Sequence, residues 1–374
     1  MKLVPIQQVA GKLKAGEPLP FGVRDAEGKL LLAKGQMVPN EDMREALLNR
    51  GVFVDLDELK PASNSYDSSG VGGEDFFGRW EAMQTRLAVL LRAPDETLFL
   101  PRVKECAGQI LQWAERYPDQ LIFVVMRHDH SRHEIYGLVH LLHCAAVVAV
   151  LVRRLEWPVE RQRLAVGAAL TMNLPIIDLQ GRLASRGGKL APQYRALIDA
   201  HPTESVALLR AAGLKEQEWL DAVAQHHEET GGVGYPNKVQ EPTEMAQLLH
   251  LVDVFLAKHA SRGGRPGLPA PQAARDIYTG SKGHPIAGLI VKEFGLFPPG
   301  TLVKLACGEI AVSVRPGTSG NAPLVGSVTN RQGDPLAKPV RRDTTLADFN
   351  IVGLASAQHL RVKLMPHQLY DLRF

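Results

Sequence analysis

"HHEETGGVGYP", residues 226–236, decides how this chain is read. Adjacent histidines ahead of a glycine-rich turn closed by Tyr-Pro look like the rim of a metal site. Imidazole is a common metal ligand, and glycines let a loop approach such a site closely. Working outward, three more groups lie in or beside predicted helices. His140 sits in "YGLVHLLHCAAVVAVLVRRLEW" (136–157), His201 opens "HPTES" (201–205), and Asp253 interrupts the apolar "LLHLVDVFLA" (248–257). A carboxylate in such a run is costly unless it is paired or bound to a cation. One histidine in an apolar helix is usually a satisfied core residue. Five such groups in the order His140, His201, His226, His227, Asp253 are harder to dismiss. His128, His130 and His133 in "RHDHSRHE" (127–134) come from one short segment and read as a surface turn or a polar helix start.

Composition narrows the class. The chain has 374 residues, 45% of them hydrophobic, enough for two or three domains with a substantial core. Its 43 basic and 40 acidic residues leave a formal charge of +3, too balanced for a dedicated binder of nucleic-acid polymers. Cys106, Cys144 and Cys307 are widely separated and form no CxxC pair, so they read as reduced, largely structural thiols of a cytoplasmic protein. The opening "MKLVPIQQVAGKLKAG" lacks a sustained apolar stretch. The most membrane-like segment, "LVHLLHCAAVVAVLV" (138–152), falls short of the roughly 20 apolar residues a span requires and carries two histidines, so no membrane span is expected.

Four regions follow from the patterning. Residues 1–57 read as a small α+β module of ββαβ type, with a hairpin around "DAEGK" and a helix capped by Asn40. Residues 58–77, rich in Ser, Gly and Asp, read as a flexible linker. From 78 to 296, apolar residues recur at three- and four-residue spacing, which predicts an all-helical bundle. From 297 to 374, β-branched runs separated by turns predict a small β-rich extension, ending in a helix or docked strand near "HQLYDLRF". The fold class is therefore mainly α, flanked by two small sheet-containing regions.

The motifs together resemble the HD-GYP family, a branch of the HD superfamily of metal-dependent phosphohydrolases. The stretch 226–236 matches the pattern HHExxxGxGYP at His226, His227, Glu228, Gly232, Gly234, Tyr235 and Pro236. His201-Pro202 matches the family's His-Pro pair, and "PPGTLVKLACGEIAV" (298–312) is similar to the tail that often follows the domain. The resemblance spans about residues 125–335. It implies an HD-type helical bundle, His140, His201, His226, His227 and Asp253 as metal ligands, and Arg262 and Arg265 as phosphate contacts. It further implies bacterial cyclic di-GMP signalling, and a loop at Gly234, Tyr235 and Pro236 that contacts GGDEF-type partner domains. A homodimer is compatible with it.

One departure is equally specific. Where the family has its His-Asp pair followed by Gly-Lys, "AALTMNLPIID" (168–178) places Met172, Asn173 and Ile176. Tyr136 stands where some members carry a metal-binding glutamate. Two divalent ions about 3.5–4 Å apart need bridging anions to offset their repulsion and to activate a shared water. Asn173 is neutral, and the Met172 thioether is too soft for Mn or Fe. The expectation is no metal or one divalent ion (Fe, Mn or Zn), with two disfavoured. A register in which Asp178 replaces the lost acid would need a broken helix, because Asp178 lies more than a turn beyond Asn173. The sequence thus reads as a catalytically impaired HD-GYP signalling protein that binds a cyclic dinucleotide or a partner domain. The alternative is an active phosphodiesterase with a rearranged or mononuclear site.

Overall fold

The computed structural model describes residues 3–13, 15, 19, 21–26, 28–32, 38, 40–55, 73–127, 133–186, 188, 190–263, 265–317, 321–355 and 366–372. The chain divides into two compact units, 1–70 and 71–374.

In the first unit, strands β1 (Leu3–Pro5), β2 (Val23–Arg24), β3 (Leu30–Leu32) and β4 (Phe53–Asp55) form a sheet in the order β1-β4-β2-β3. Helix α1 (Glu41–Asn49) starts where the Asn40 side chain accepts from the Met43 N–H. The strand β1 is additional to the ββαβ pattern read from sequence; at three residues it is too short to show an alternation. Ile6, Phe21, Val23 and Val54 are fully buried and form this unit's own core.

The second unit opens on α2 (Gly73–Leu90), which begins inside the stretch read as linker. The reason lies in the aromatic pair that ends that stretch. Phe76 is buried, with edge-on contacts to Phe77 and Trp113, and this apolar anchor outweighs the Gly- and Ser-rich composition before it. Helices α3 (Phe99–Arg116), α4 (Pro118–Met126), α5 (Tyr136–Arg154), α6 (Val159–Thr171), α7 (Ile177–Arg186), α8 (Pro192–Ala211), α9 (Gln217–Gln225), α10 (Glu244–His259), α11 (Ala270–Gly280) and α12 (Pro285–Glu293) complete the bundle. Strands β5 (Leu302–Leu305), β6 (Ile310–Arg315), β7 (Leu324–Thr329), β8 (Pro335–Asp343) and β9 (Ile351–Leu354) pair antiparallel in the order β8-β7-β6-β5-β9. The short α13 (Pro366–Tyr370) ties this sheet to the bundle, because the one hydroxyl proton of Tyr370 is shared between a backbone carbonyl on each side, Asp119 and Val314, both at 3.1 Å.

Helix α5 is the axis of the bundle and touches α2, α3, α4, α6, α7, α10 and α12. Every residue from Tyr136 to Val152 is buried. The segments His133–Arg154 and Val159–Arg186 are long and apolar enough to cross a membrane, yet 89% and 78% of their apolar windows are covered by protein. Their hydrophobicity serves this core.

Glycine lets α5 and α7 approach closely. A Cβ on Gly137 would lie 2.1 Å from the Ile177 carbonyl oxygen, and one on Gly181 would lie 2.3 Å from that of Glu134. Both obstacles are backbone, so neither can swing aside. Gly137→Ala is expected to destabilise the unit by about 3 kcal/mol, at the upper end for overpacking, and to shift the helix bearing His140. Urea unfolding checks this, and a change below about 1 kcal/mol would show that the helices separate easily.

Candidate metal centre

His201 and His226 are each oriented by a local backbone carbonyl. His201 precedes Pro202 inside α8, and proline has no N–H to offer the carbonyl four residues back. That carbonyl belongs to Ile198, and His201 Nδ1 takes it at 2.5 Å. His226 caps α9, where the last carbonyls lack helical donors, and its Nδ1 meets the Val223 oxygen at 2.7 Å. Both Nδ1 atoms must carry the proton, so both Nε2 lone pairs are bare. They face each other at 3.1 Å.

Two lone pairs at that distance repel each other unless a cation or a proton lies between them. His227 completes the group: the ligand atoms of His201, His226 and His227 all lie within 4.8 Å of one another. The Asn173 Oδ1 position is 3.2 Å from His226 Nε2. Either its amide oxygen joins the group as a weak fourth donor, or its N–H₂ satisfies the His226 lone pair.

The loop 228–239 holds His227 in place. Tyr235 stacks on the His227 ring, with centroids 4.7 Å apart and planes 18° apart, and its N–H donates to the His227 carbonyl. Glu228 is buried and accepts from the Asn237 and Val239 N–H groups at 2.7 and 3.1 Å, so it clamps the loop. Gly234 is required by space, because a Cβ there would lie 2.5 Å from the Glu228 Cα and the His227 carbonyl oxygen. Pro236 follows Tyr235 in a cis peptide bond. Val233, on the loop's outer side, is 74% exposed.

A second group forms on α5 and α10. His140 Nε2 lies 2.6 Å from Asp253 Oδ1, and Cys144 Sγ lies 3.6 Å from the same nitrogen. All three side chains are buried and their ligand atoms fall within 4.8 Å of one another. From sequence alone Cys144 reads as a structural thiol. Its spacing of four residues from His140, which stacks the two on one helix face, was the missed signal. Tyr136, one turn before His140, lies with its hydroxyl 3.4 Å from His140 Nδ1 and receives a 2.6 Å bond from Arg262 Nη2.

Electrostatics follow from this packing. Burial drives the imidazoles neutral: His226 is held well below its usual range, His201 is lowered, and His227 is brought down to about 3. Burial alone would raise Asp253, but the hydrogen-bonded pairing with the adjoining His140 outweighs it and holds the carboxyl far below the ordinary carboxylate range. Burial, and then the Asp253 charge, push the Cys144 thiol well up. Burial raises Tyr136 to about 12 despite Arg262.

The five expected ligands therefore fall into two donor groups, His201–His226–His227 and His140–Cys144–Asp253. The residues in place of the family's His-Asp and Lys lie differently. Met172 is fully buried in the apolar core, and Ile176 is also buried. The turn between them is pinned: Ser205 donates to the Met172 carbonyl at 2.8 Å, and Trp219 Nε1 donates to Thr171 at 2.9 Å. Asp178 faces outward and pairs with Arg92 at 2.7 Å, so the register in which it replaces the lost acid does not occur. Arg262 borders the second group, and its Nε has no hydrogen-bond partner among the described residues. Arg265 instead donates to the Ala257 and Ala260 carbonyls at the end of α10. His133 lies in a 3₁₀ turn, whereas His128 and His130 fall outside the described residues.

Residues 112–284 match the HD domain family, and that span contains all six donors. That region is similar to HD domains. Among solved structures, the fold is similar to Bd1817, an HDG"Y"P protein from Bdellovibrio bacteriovorus, with a TM-score of 0.51 and 17% sequence identity over 78% of this chain and 97% of that one. No curated protein sequence matches the chain. The family match supports a metal-dependent phosphohydrolase ancestry for this region, and the structural similarity supports an HD-type helical fold. The donor set of the HD domain fits divalent ions: the three histidines suit Zn or Fe, and a bound ion would act as a Lewis acid on a phosphate oxygen.

Proposed function

We propose that this protein is a degenerate HD-GYP signalling protein that binds a cyclic dinucleotide or a GGDEF-type partner domain and hydrolyses phosphodiesters poorly or not at all. The observation that carries this reading is Asn173. Its neutral amide faces His226 at 3.2 Å where the family places the aspartate of its His-Asp pair. Asp253 is the one carboxylate among the donors of the two groups. Without a second carboxylate, no acid bridges two close cations to offset their repulsion and hold a hydroxide between them. The lysine that would stabilise developing phosphate charge is replaced by the buried Ile176.

Binding is supported by groups that survive. Arg262 sits beside the His140 group, and its Nε has no partner among the described residues. The 226–236 loop is intact and exposes Val233 at its surface. A cavity of about 710 Å³ lies beside that loop, lined by Glu229, Val233, His250, Lys258 and Lys282 among others, a size suited to a small ligand. A second reading, an active phosphodiesterase with a rearranged site, is favoured by the two bare lone pairs of His201 and His226 at 3.1 Å. Because the donors form two groups, the number of bound ions does not by itself separate these readings.

The test is calorimetric titration of the metal-loaded protein with cyclic di-GMP, in wild type and Arg262→Ala. Saturable binding that weakens about tenfold in the variant supports the reading, in line with loss of one charge-assisted contact. The absence of binding to both cyclic di-GMP and a GGDEF domain would overturn it.

A further inference from the structure

We propose that His140, Cys144 and Asp253 form a thiolate-containing metal site that selects Zn²⁺ over Mn²⁺. The inference concerns which ion the domain holds, and it stands whether or not a cyclic dinucleotide binds.

Geometry is the first argument. In tetrahedral zinc sites the metal lies about 2.3 Å from sulfur and about 2.0–2.1 Å from imidazole nitrogen, which sets a sulfur–nitrogen separation of about 3.6 Å. Cys144 Sγ and His140 Nε2 are 3.6 Å apart. His140 and Cys144 stand one turn apart on α5, a helix buried along its length, so their spacing is set by rigid backbone. The Asp253 oxygen, 2.6 Å from the same nitrogen, must move out by under 1 Å to reach a metal-bound separation. In the metal-free arrangement a proton on Nε2 occupies the line along which the cation would sit.

Tautomer control is the second argument. A metal needs the Nε2 lone pair, so the proton must move to Nδ1, where it needs an acceptor. The Tyr136 hydroxyl lies 3.4 Å from Nδ1 and accepts a 2.6 Å bond from Arg262. A hydroxyl oxygen has two acceptor sites and one donor proton. It can donate to Nδ1 in the metal-free state and accept from Nδ1–H when the metal is bound, with Arg262 in place throughout.

Ligand softness is the third argument. Thiolate and imidazole suit zinc, whereas Mn and Mg prefer oxygen donors. Binding releases the thiol proton of Cys144 and leaves one thiolate, one carboxylate and one neutral imidazole on the ion. The two negative charges match a divalent cation in this buried place without any further acid.

Cobalt substitution of the full chain tests this. Co²⁺ bound to a thiolate shows an intense near-ultraviolet charge-transfer absorption that nitrogen and oxygen ligands do not produce. Wild type and His201→Ala are expected to show it, and Cys144→Ser is expected to lose it, with zinc affinity at least tenfold weaker. Sulfur at about 2.3 Å in the zinc X-ray absorption of the wild type tests the same point without relying on a variant's folding. Absence of both signals in the wild type, or a band that persists in Cys144→Ser, would overturn the assignment.

Discussion

Asp253→Ala is expected to lower the stability of the helical unit by about 3 kcal/mol at neutral pH and to abolish metal binding at the His140 side. The carboxylate lies within 2.6 Å of the buried His140 ring and stays ionised in spite of its own burial. Removing one partner of a buried, hydrogen-bonded pair typically costs about 3–5 kcal/mol, because the other is left without a mate. Asp253→Asn keeps the shape and one hydrogen bond, so it should cost less while still losing the metal. The folded-state pKa is depressed, so this stabilisation is complete above the ordinary carboxylate range and fades as the pH falls through the folded value. Urea unfolding with metal analysis of all three proteins checks the prediction. Equal stability of wild type and Asp253→Ala would mean that the pair contributes nothing.

The metal-free protein is expected to lose stability as the pH drops below about 6.5. His201, His226 and His227 are held neutral by burial, with folded pKa values below the usual histidine range. The unfolded chain takes up protons near pH 6.5 while the native state does not, so the unfolded state binds more protons and acid favours it. His227, brought down to about 3, is half-buried. After discounting for that exposure, it alone accounts for about 1–2 kcal/mol lost by pH 5. His201 and His226, which are fully buried, add to the loss in the same direction. Unfolding curves at pH 7, 6 and 5 measure the slope, and His226→Gln should flatten it. A stability that does not change from pH 7 to 5 would contradict the assignment of neutral, buried rings.

Much of this centre was legible in the sequence because polar groups in apolar helices stand out. Asp253 within "LLHLVDVFLA" and the His226-His227 pair before a glycine turn carry that signal. The mainly helical fold was visible in the repeat of apolar residues. Cys144 was not visible, because a cysteine among alanines and valines resembles any core thiol until His140 is seen one turn away. The division of the donors into two groups was also hidden, since it depends on how α5 and α10 meet α8 and α9. Arg265 shows the reverse case: its motif position suggested a phosphate contact, while local geometry turned it onto the open carbonyls of α10. The start of α2 was obscured by composition, because the Gly- and Ser-rich run outweighs two phenylalanines in a sequence window but not in a core.

The most direct measurement is cyclic di-GMP turnover by the full chain loaded with Zn²⁺, Mn²⁺ or Fe²⁺, followed by chromatography beside Asp253→Ala. With Asn173 in place of the lost acid, the wild type is expected to form no more product than the variant under any of the three metals. Product that accumulates linearly in the wild type and disappears in Asp253→Ala would contradict the account and establish a working phosphodiesterase.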